Sequence, residues 1–192
     1  MKKRFTKYLL LFICFLAGCK NDNGGGSETA DQLVQDGWQA YLSKDYKTAM
    51  GKFNQALAMN SSLVDAYNGA GWSYALLNRL DSSVSKFNLG RSRDTANTGI
   101  NAGLSIVENA LKLYQPSISY AEIVLRQNSS WTFSRDNTIN WSDLRVLLAE
   151  DFFALMQYDS CLAQIQTLTP DTTRAVDSLA AKIEALRLLY GN

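Results

Sequence analysis

Residues 31–60 read DQLVQDGWQAYLSKDYKTAMGKFNQALAMN, and residues 65–94 read DAYNGAGWSYALLNRLDSSVSKFNLGRSRD. A shift of 34 lays Gly37 on Gly71, Trp38 on Trp72, Tyr46 on Leu80, Phe53 on Phe87 and Ala56 on Gly90. A second shift of 34 lays Leu80 on Tyr114, Ser83 on Ser117 and Gly90 on Val124, and Asn60-Ser61-Ser62 returns at Asn128-Ser129-Ser130. A fourth copy follows a ten-residue insertion, with Tyr158, Cys161, Ile165 and Leu168 in the same roles. A fixed period of this length marks a chain of stacked units, none of which buries its own apolar face alone.

With Leu33, Gly37, Tyr41, Asp45-Tyr46, Ala49, Phe53 and Ala56-Leu57 at these offsets, the first copy resembles the tetratricopeptide repeat (TPR). The resemblance implies an all-α, TPR-type α-solenoid of about four antiparallel helix pairs plus a C-terminal capping helix. The repeats are expected at about 30–63, 64–97, 98–131 and 142–170, with an insertion at 131–141 and the capping helix at 171–190. Small residues at Gly37, Ala49 and Ala56 let helices approach, and Tyr46 and Phe53 fill the space between. Copy three departs from the pattern, with Ser105 at the tight glycine position and Ala121 where an aromatic is usual. The insertion is polar, with aromatic anchors at Trp131 and Phe133, and it resembles a segment of small bacterial TPR lipoproteins.

Local signals agree with helices. Thr29 and Gln32 form a capping-box pattern before the first helix. Ser62 is expected to cap the third, with Asp65 in its first turn. Pro116 suits the first turn of a helix, and Pro170 again precedes one. From Thr172 to Tyr190, the residues Val176, Leu179, Ile183, Leu186 and Tyr190 share one stripe, while Asp177, Lys182 and Glu184 face away from it. A terminal repeat needs such a one-sided cap.

The start of the chain reads as an address. Lys2, Lys3, Arg4 and Lys7 precede an uncharged apolar run from Tyr8 to Ala17, too short to span a ~30 Å hydrocarbon core. The run ends Leu16-Ala17-Gly18-Cys19, which resembles the lipobox of bacterial lipoproteins. That resemblance implies a signal peptide over 1–18 and lipidation at Cys19. It implies a tether over 19–29 that carries the domain 30–192. Asn21 to Ser27, with its three glycines, has a reach of about 15 Å. Lys20 in place of Asp after the lipidated Cys points to the outer membrane of a Gram-negative cell, on its periplasmic or cell-surface face.

Composition narrows the function. The chain has 192 residues, is 46% hydrophobic and 19% charged, and carries no His. The lack of His excludes Ser-His-Asp and Cys-His pairs, His bases and His-ligated metals. Without the four cations of residues 1–18, fifteen Lys and Arg face eighteen acids, a net charge of −3 that does not suit nucleic acid. Cys161 is the one cysteine left to the fold, so no internal disulfide can form there. It replaces a small packing residue and reads as a buried thiol. Asp136, Asn140 and Asp143 fail the calcium-loop pattern, which needs a central Gly and a terminal Glu, and read as turn and cap residues. No catalytic residue, metal site or cofactor is expected, and the chain reads as a non-enzyme.

The TPR resemblance carries a concave groove onto Val34, Trp38, Tyr41 and Leu42, then Asn68, Trp72 and Leu76, then Ile106 and Asn109, then Val146, Glu150 and Phe153. In that reading Trp38, Tyr41 and Trp72 are apolar anchors, and Asn68 and Asn109 hold a partner's backbone. The alternative is that the tryptophans pack between neighbouring repeats. The function expected is a protein-protein interaction adaptor in the envelope, held to the membrane by its lipid and binding a peptide or helix. The alternative function is a surface-displayed module for a small ligand or glycan.

Overall fold

The computed structural model describes residues 28–169 and 176–190, the latter without the side chains of 176–178, 189 and 190. The expected signal peptide, Cys19 and the tether up to residue 27 lie outside the described residues, as do Pro170 and residues 171–175. The helices are α1 (Ala30–Leu42), α2 (Tyr46–Met59), α3 (Val64–Leu76), α4 (Leu80–Arg91), α5 (Thr98–Ala110), α6 (Tyr114–Gln127), α7 (Trp141–Ala154), α8 (Tyr158–Leu168) and α9 (Val176–Tyr190). They pack as antiparallel pairs α1/α2, α3/α4, α5/α6 and α7/α8, and each odd helix also packs on the next odd helix. This is the solenoid that the repeat implied. The odd helices share one face, the one a TPR-type solenoid curves around, and the candidate site lies there.

The same turn closes all four pairs. Lys44, Asn78, Lys112 and Met156 have φ of 61°, 55°, 62° and 59°. Each follows the last turn of an odd helix. Lys44 N–H donates to Tyr41 O at 2.9 Å and Asp45 N–H reaches back to Ala40 O at 2.9 Å, and the other three turns repeat both bonds. This left-handed cap satisfies the helix's last carbonyls. A non-glycine residue in this region costs on the order of 1 kcal/mol. Recurrence at intervals of 34, 34 and then 44 residues fixes the register of the copies and locates the extra ten residues.

The glycine pattern has a steric cause. The Phe53 ring lies between α1 and α3, and Phe87 lies between α3 and α5. A Cβ on Gly69 would sit 2.2 Å from Phe53 Cζ, and one on Gly37 would sit 2.7 Å from Cε1. Gly71 and Gly103 flank Phe87 in the same way. Where copy three has Ser105 and Ala121 instead, a hydroxyl contributes: Ser117 Oγ donates to Ser105 O at 2.9 Å, as Ser83 Oγ donates to Gly71 O at 2.8 Å. Cys161 occupies the equivalent place in α8, fully buried, and burial pushes its thiol up to about 11.

The Thr29–Gln32 capping box forms. Ser62 does not cap α3. Its hydroxyl and its N–H both donate to Asn60 Oδ1, at 2.7 and 3.0 Å, and α3 begins behind Leu63, which has no capping side chain. Helix α9 packs on α7 and α8 through buried Leu179, Ile183 and Leu186.

Candidate functional site

The eight residues expected to line the groove divide into two sets. Trp38 and Tyr41 on α1 and Asn68 and Trp72 on α3 are buried, each tryptophan only 3% exposed. Ile106 and Asn109 on α5 and Glu150 and Phe153 on α7 are half-buried.

The first set is covered by the insertion. Residues 131–140 run as a short hairpin, with an isolated bridge between Thr132 and Asn140. Phe133 N–H donates to Ile139 O at 2.8 Å, and Trp141 N–H donates to Trp131 O at 2.7 Å. The first limb alternates as an extended strand does: Trp131 and Phe133 are buried, while Thr132 and Ser134 are exposed. The Phe133 ring stacks on Trp72 with centroids 4.6 Å apart and meets Trp38 edge-on at 6.1 Å. Arg135 reaches inward from the β-turn that ends this limb, closed by Asp136 N–H donating to Phe133 O at 3.1 Å. Its guanidinium lies over the Trp38 ring at 4.7 Å and donates to Asp65 Oδ2 at 3.0 Å.

Each indole N–H is used within the solenoid. Trp38 Nε1 donates to Asp65 Oδ2 at 2.9 Å, and Trp72 Nε1 donates to Gly99 O at 3.2 Å. These acceptors stand 34 residues apart in the first turns of α3 and α5. The tryptophans therefore tie neighbouring repeats together at their polar edge and meet the hairpin with their rings. Of the acidic and amide residues in the insertion, Asp136 closes a turn on Thr138 N–H at 3.0 Å, and Asn140 caps α7 with Asp143 as its box partner.

Sequence reasoning named Trp131 and Phe133 as anchors but missed Arg135 and Asp65 as a pair 70 residues apart. The alternation of residues 131–134 is a signal for the inward-facing limb, but no such signal marks Arg135, which lies in the turn that follows.

The second set lines an open cavity of about 360 Å³ between α5, α7 and α9, together with Lys112, Tyr114, Ile183 and Arg187. Ile106 lies outside that lining. Glu150 accepts from Arg187 Nε at 2.7 Å. Asn109 commits one of its two amide N–H groups inside the fold: its Nδ2 donates to Asp151 Oδ1 at 2.7 Å. Asp151 is fully buried at the end of α7, and its Oδ2 has no hydrogen-bond partner. Burial raises its carboxyl to about 6, against the pull of Ser117 and Asn109, and neighbouring Glu150 pushes it the same way. Ser117 helps little, because its hydroxyl proton is committed to Ser105 O. Among the described residues no group of three or more Cys, Asp or Glu side chains is placed to hold a metal ion.

No family model matches the chain, and no curated protein matches it. Solved structures do. YrrB, described as a TPR protein with an unusual peptide-binding site, is 15% identical with a TM-score of 0.65, the match covering 85% of this chain and 79% of that one. MamA is 9% identical with a TM-score of 0.62, covering 82% and 80%. A tetratricopeptide repeat protein from Parabacteroides merdae is 12% identical with a TM-score of 0.61, covering 84% of this chain and 61% of that one. At these identities the likeness establishes the fold.

Proposed function

We infer that this chain, a tetratricopeptide-repeat solenoid in fold, works as an adaptor that holds a peptide or helix of a protein partner in a bacterial envelope complex, tethered to the outer membrane by lipid at Cys19. The observation that carries the reading is the open cavity at the C-terminal half of the concave face. Phe153 and Ile183 offer it an apolar floor, and Lys112, Glu150 and Arg187 offer it a charged rim. An apolar floor with a few polar groups at its edge suits a peptide segment. The peptide-binding site reported for YrrB supports the same class of ligand.

Crosslinking in the native cell, followed by capture of the chain, tests the site. The native protein should trap one envelope protein, and a Phe153→Ala/Lys112→Glu variant of unchanged helical content should trap at least fivefold less. Equal capture by both would remove the cavity from the reading. Capture of no protein, with retention of a small ligand, would favour the ligand-binding module instead.

The anchor is tested separately. The Cys19→Ser chain should leave the membrane fraction or remain unprocessed, with its domain folded. A Cys19→Ser chain that is still acylated and membrane-bound would rule out lipidation at that residue.

A further inference from the structure

We propose that the concave face of the first three repeats is a second peptide groove, occupied in cis by the 131–140 hairpin as a displaceable stand-in, and that its partner is a peptide bearing an aromatic residue that opens a β-turn and an arginine at the third position of that turn. This rests on the adaptor reading and extends it to a second site with a defined ligand chemistry.

The hairpin itself states the ligand. Phe133 ends the extended limb, and Ser134 and Arg135 are the central residues of a β-turn closed by Asp136 N–H donating to Phe133 O at 3.1 Å. That turn places a ring on Trp72 and a guanidinium between the Trp38 ring and the Asp65 carboxylate. A planar cation suits this position, because it stacks on the indole while donating to the carboxylate beside it.

Three observations make the hairpin an imperfect occupant. It leaves buried oxygens unsatisfied beneath it: Tyr41 Oη and Asn68 Oδ1 have no hydrogen-bond partner. Burial and the nearby Asp136 hold the Tyr41 phenol well above its usual range, and the Asn68 amide sits against Gly99 and Phe133. It also leaves space: a cavity of about 380 Å³ separates Ser134–Asn137 from Tyr41, Leu42, Lys44 and Tyr46. A ligand with a further polar group beyond its arginine would fill that space and reach Tyr41 Oη. Finally, the hairpin is held on the first three repeats by side chains alone. The backbone hydrogen bonds of residues 132–139 close within the hairpin and none joins a helix of the first three repeats. Its two ends meet at the Trp131–Trp141 bond, so residues 133–139 can leave the groove while Asn140 keeps its cap on α7. The tryptophan N–H bonds to Asp65 and Gly99 would survive that motion. Occupancy by the hairpin lowers the apparent affinity for a competing peptide by the fraction of time the groove is open.

The test uses the full chain and a variant in which residues 133–139 are replaced by an Asn-Gly turn joining the bridged Thr132 and Asn140. A labelled peptide of residues 130–141 is the probe, read by fluorescence anisotropy. The shortened chain should bind it at least tenfold tighter than the intact chain, and the peptide with Phe133→Ala and Arg135→Ala should bind the shortened chain at least tenfold more weakly. A folded shortened chain that ignores the peptide, or binds both peptides alike, overturns the proposal. An intact chain that forms dimers through the hairpin and binds no peptide overturns it as well, in favour of a second copy as occupant. If shortening prevents folding, an Arg135→Glu chain takes its place, since the new carboxylate repels Asp65 and loosens the hairpin without removing it. It should bind the labelled peptide at least fivefold tighter than the intact chain, and equal or absent binding by the folded variant would make the hairpin permanent core. Either failure leaves the Phe153 crosslinking result intact, because that cavity belongs to α5, α7 and α9.

Discussion

Trp72→Ala is expected to lower stability by about 3–5 kcal/mol, the usual range for truncating a buried tryptophan. In a domain of this size that corresponds to a fall in Tm on the order of 10 °C. The ring is 3% exposed, stacks on Phe133 at 4.6 Å and meets Phe87 edge-on at 5.9 Å. Truncation leaves a cavity between α3, α5 and the hairpin. It also leaves the buried Gly99 carbonyl without the indole donor that now reaches it at 3.2 Å. Trp72→Phe should recover most of the packing and lose about 1–2 kcal/mol for that missing donor. Thermal melts followed by circular dichroism measure both. A Trp72→Ala chain melting within 2–3 °C of the parent would mean that the ring does not pack as described. The expectation also bears on how the groove can be probed. A Trp38→Ala/Trp72→Ala chain loses tertiary packing along with any binding surface, so lost binding in that variant cannot be assigned to the groove. Phe153 and Lys112 are the better probes, being less deeply packed.

The architecture was legible because it rests on spacing. Gly37, Gly71, Phe53 and Phe87 recur at 34 for a steric reason, the ring-on-glycine contact, and steric demands leave a strong mark on sequence. The four left-handed turn residues left no such mark. Lys44, Lys112 and Met156 are not residue types that announce positive φ, and only the repeat register makes them equivalent. Ser62 was misread because Asn60, two residues before it, offers its carboxamide oxygen first. The groove was legible as a set of positions but not as a surface. Trp38, Tyr41, Asn68 and Trp72 share the face that the repeat assigns them, yet they are covered by residues about 60 to 100 positions further along the chain. No local pattern in α1 or α3 reports that cover. The Asn109–Asp151 bond, 42 residues apart, was hidden for the same reason.

Asp151→Asn is expected to stabilise the protein at neutral and alkaline pH. The folded carboxyl titrates near 6, against 3.8 for an unperturbed Asp, with burial as the main cause. The folded state therefore holds this proton more tightly than the unfolded chain does. Stability from this group is greatest below about pH 4, declines as pH rises to about 6 and is level above that. The difference corresponds to about 3 kcal/mol. The position explains the cost. Asp151 lies near the C-terminal end of α7, where the helix dipole disfavours negative charge, and Glu150 is adjacent. Arg187, on the neighbouring α9, is spent on Glu150 at 2.7 Å. An Asn side chain keeps an oxygen for the Asn109 amide and carries no charge to desolvate. At pH 7.5 it should add about 2–3 kcal/mol, a rise in Tm of roughly 5–10 °C, and the gain should vanish near pH 4. Burial raises the Glu108 and Asp143 carboxyls as well, so the variant should keep a shallower decline of the same sign. Melts of both proteins from pH 4 to 8 give the comparison. Parallel curves, or a variant less stable than its parent at pH 7.5, would show that Asp151 bears its charge at no cost and that its environment is more polar than the packing around Asn109 and Ser117 implies.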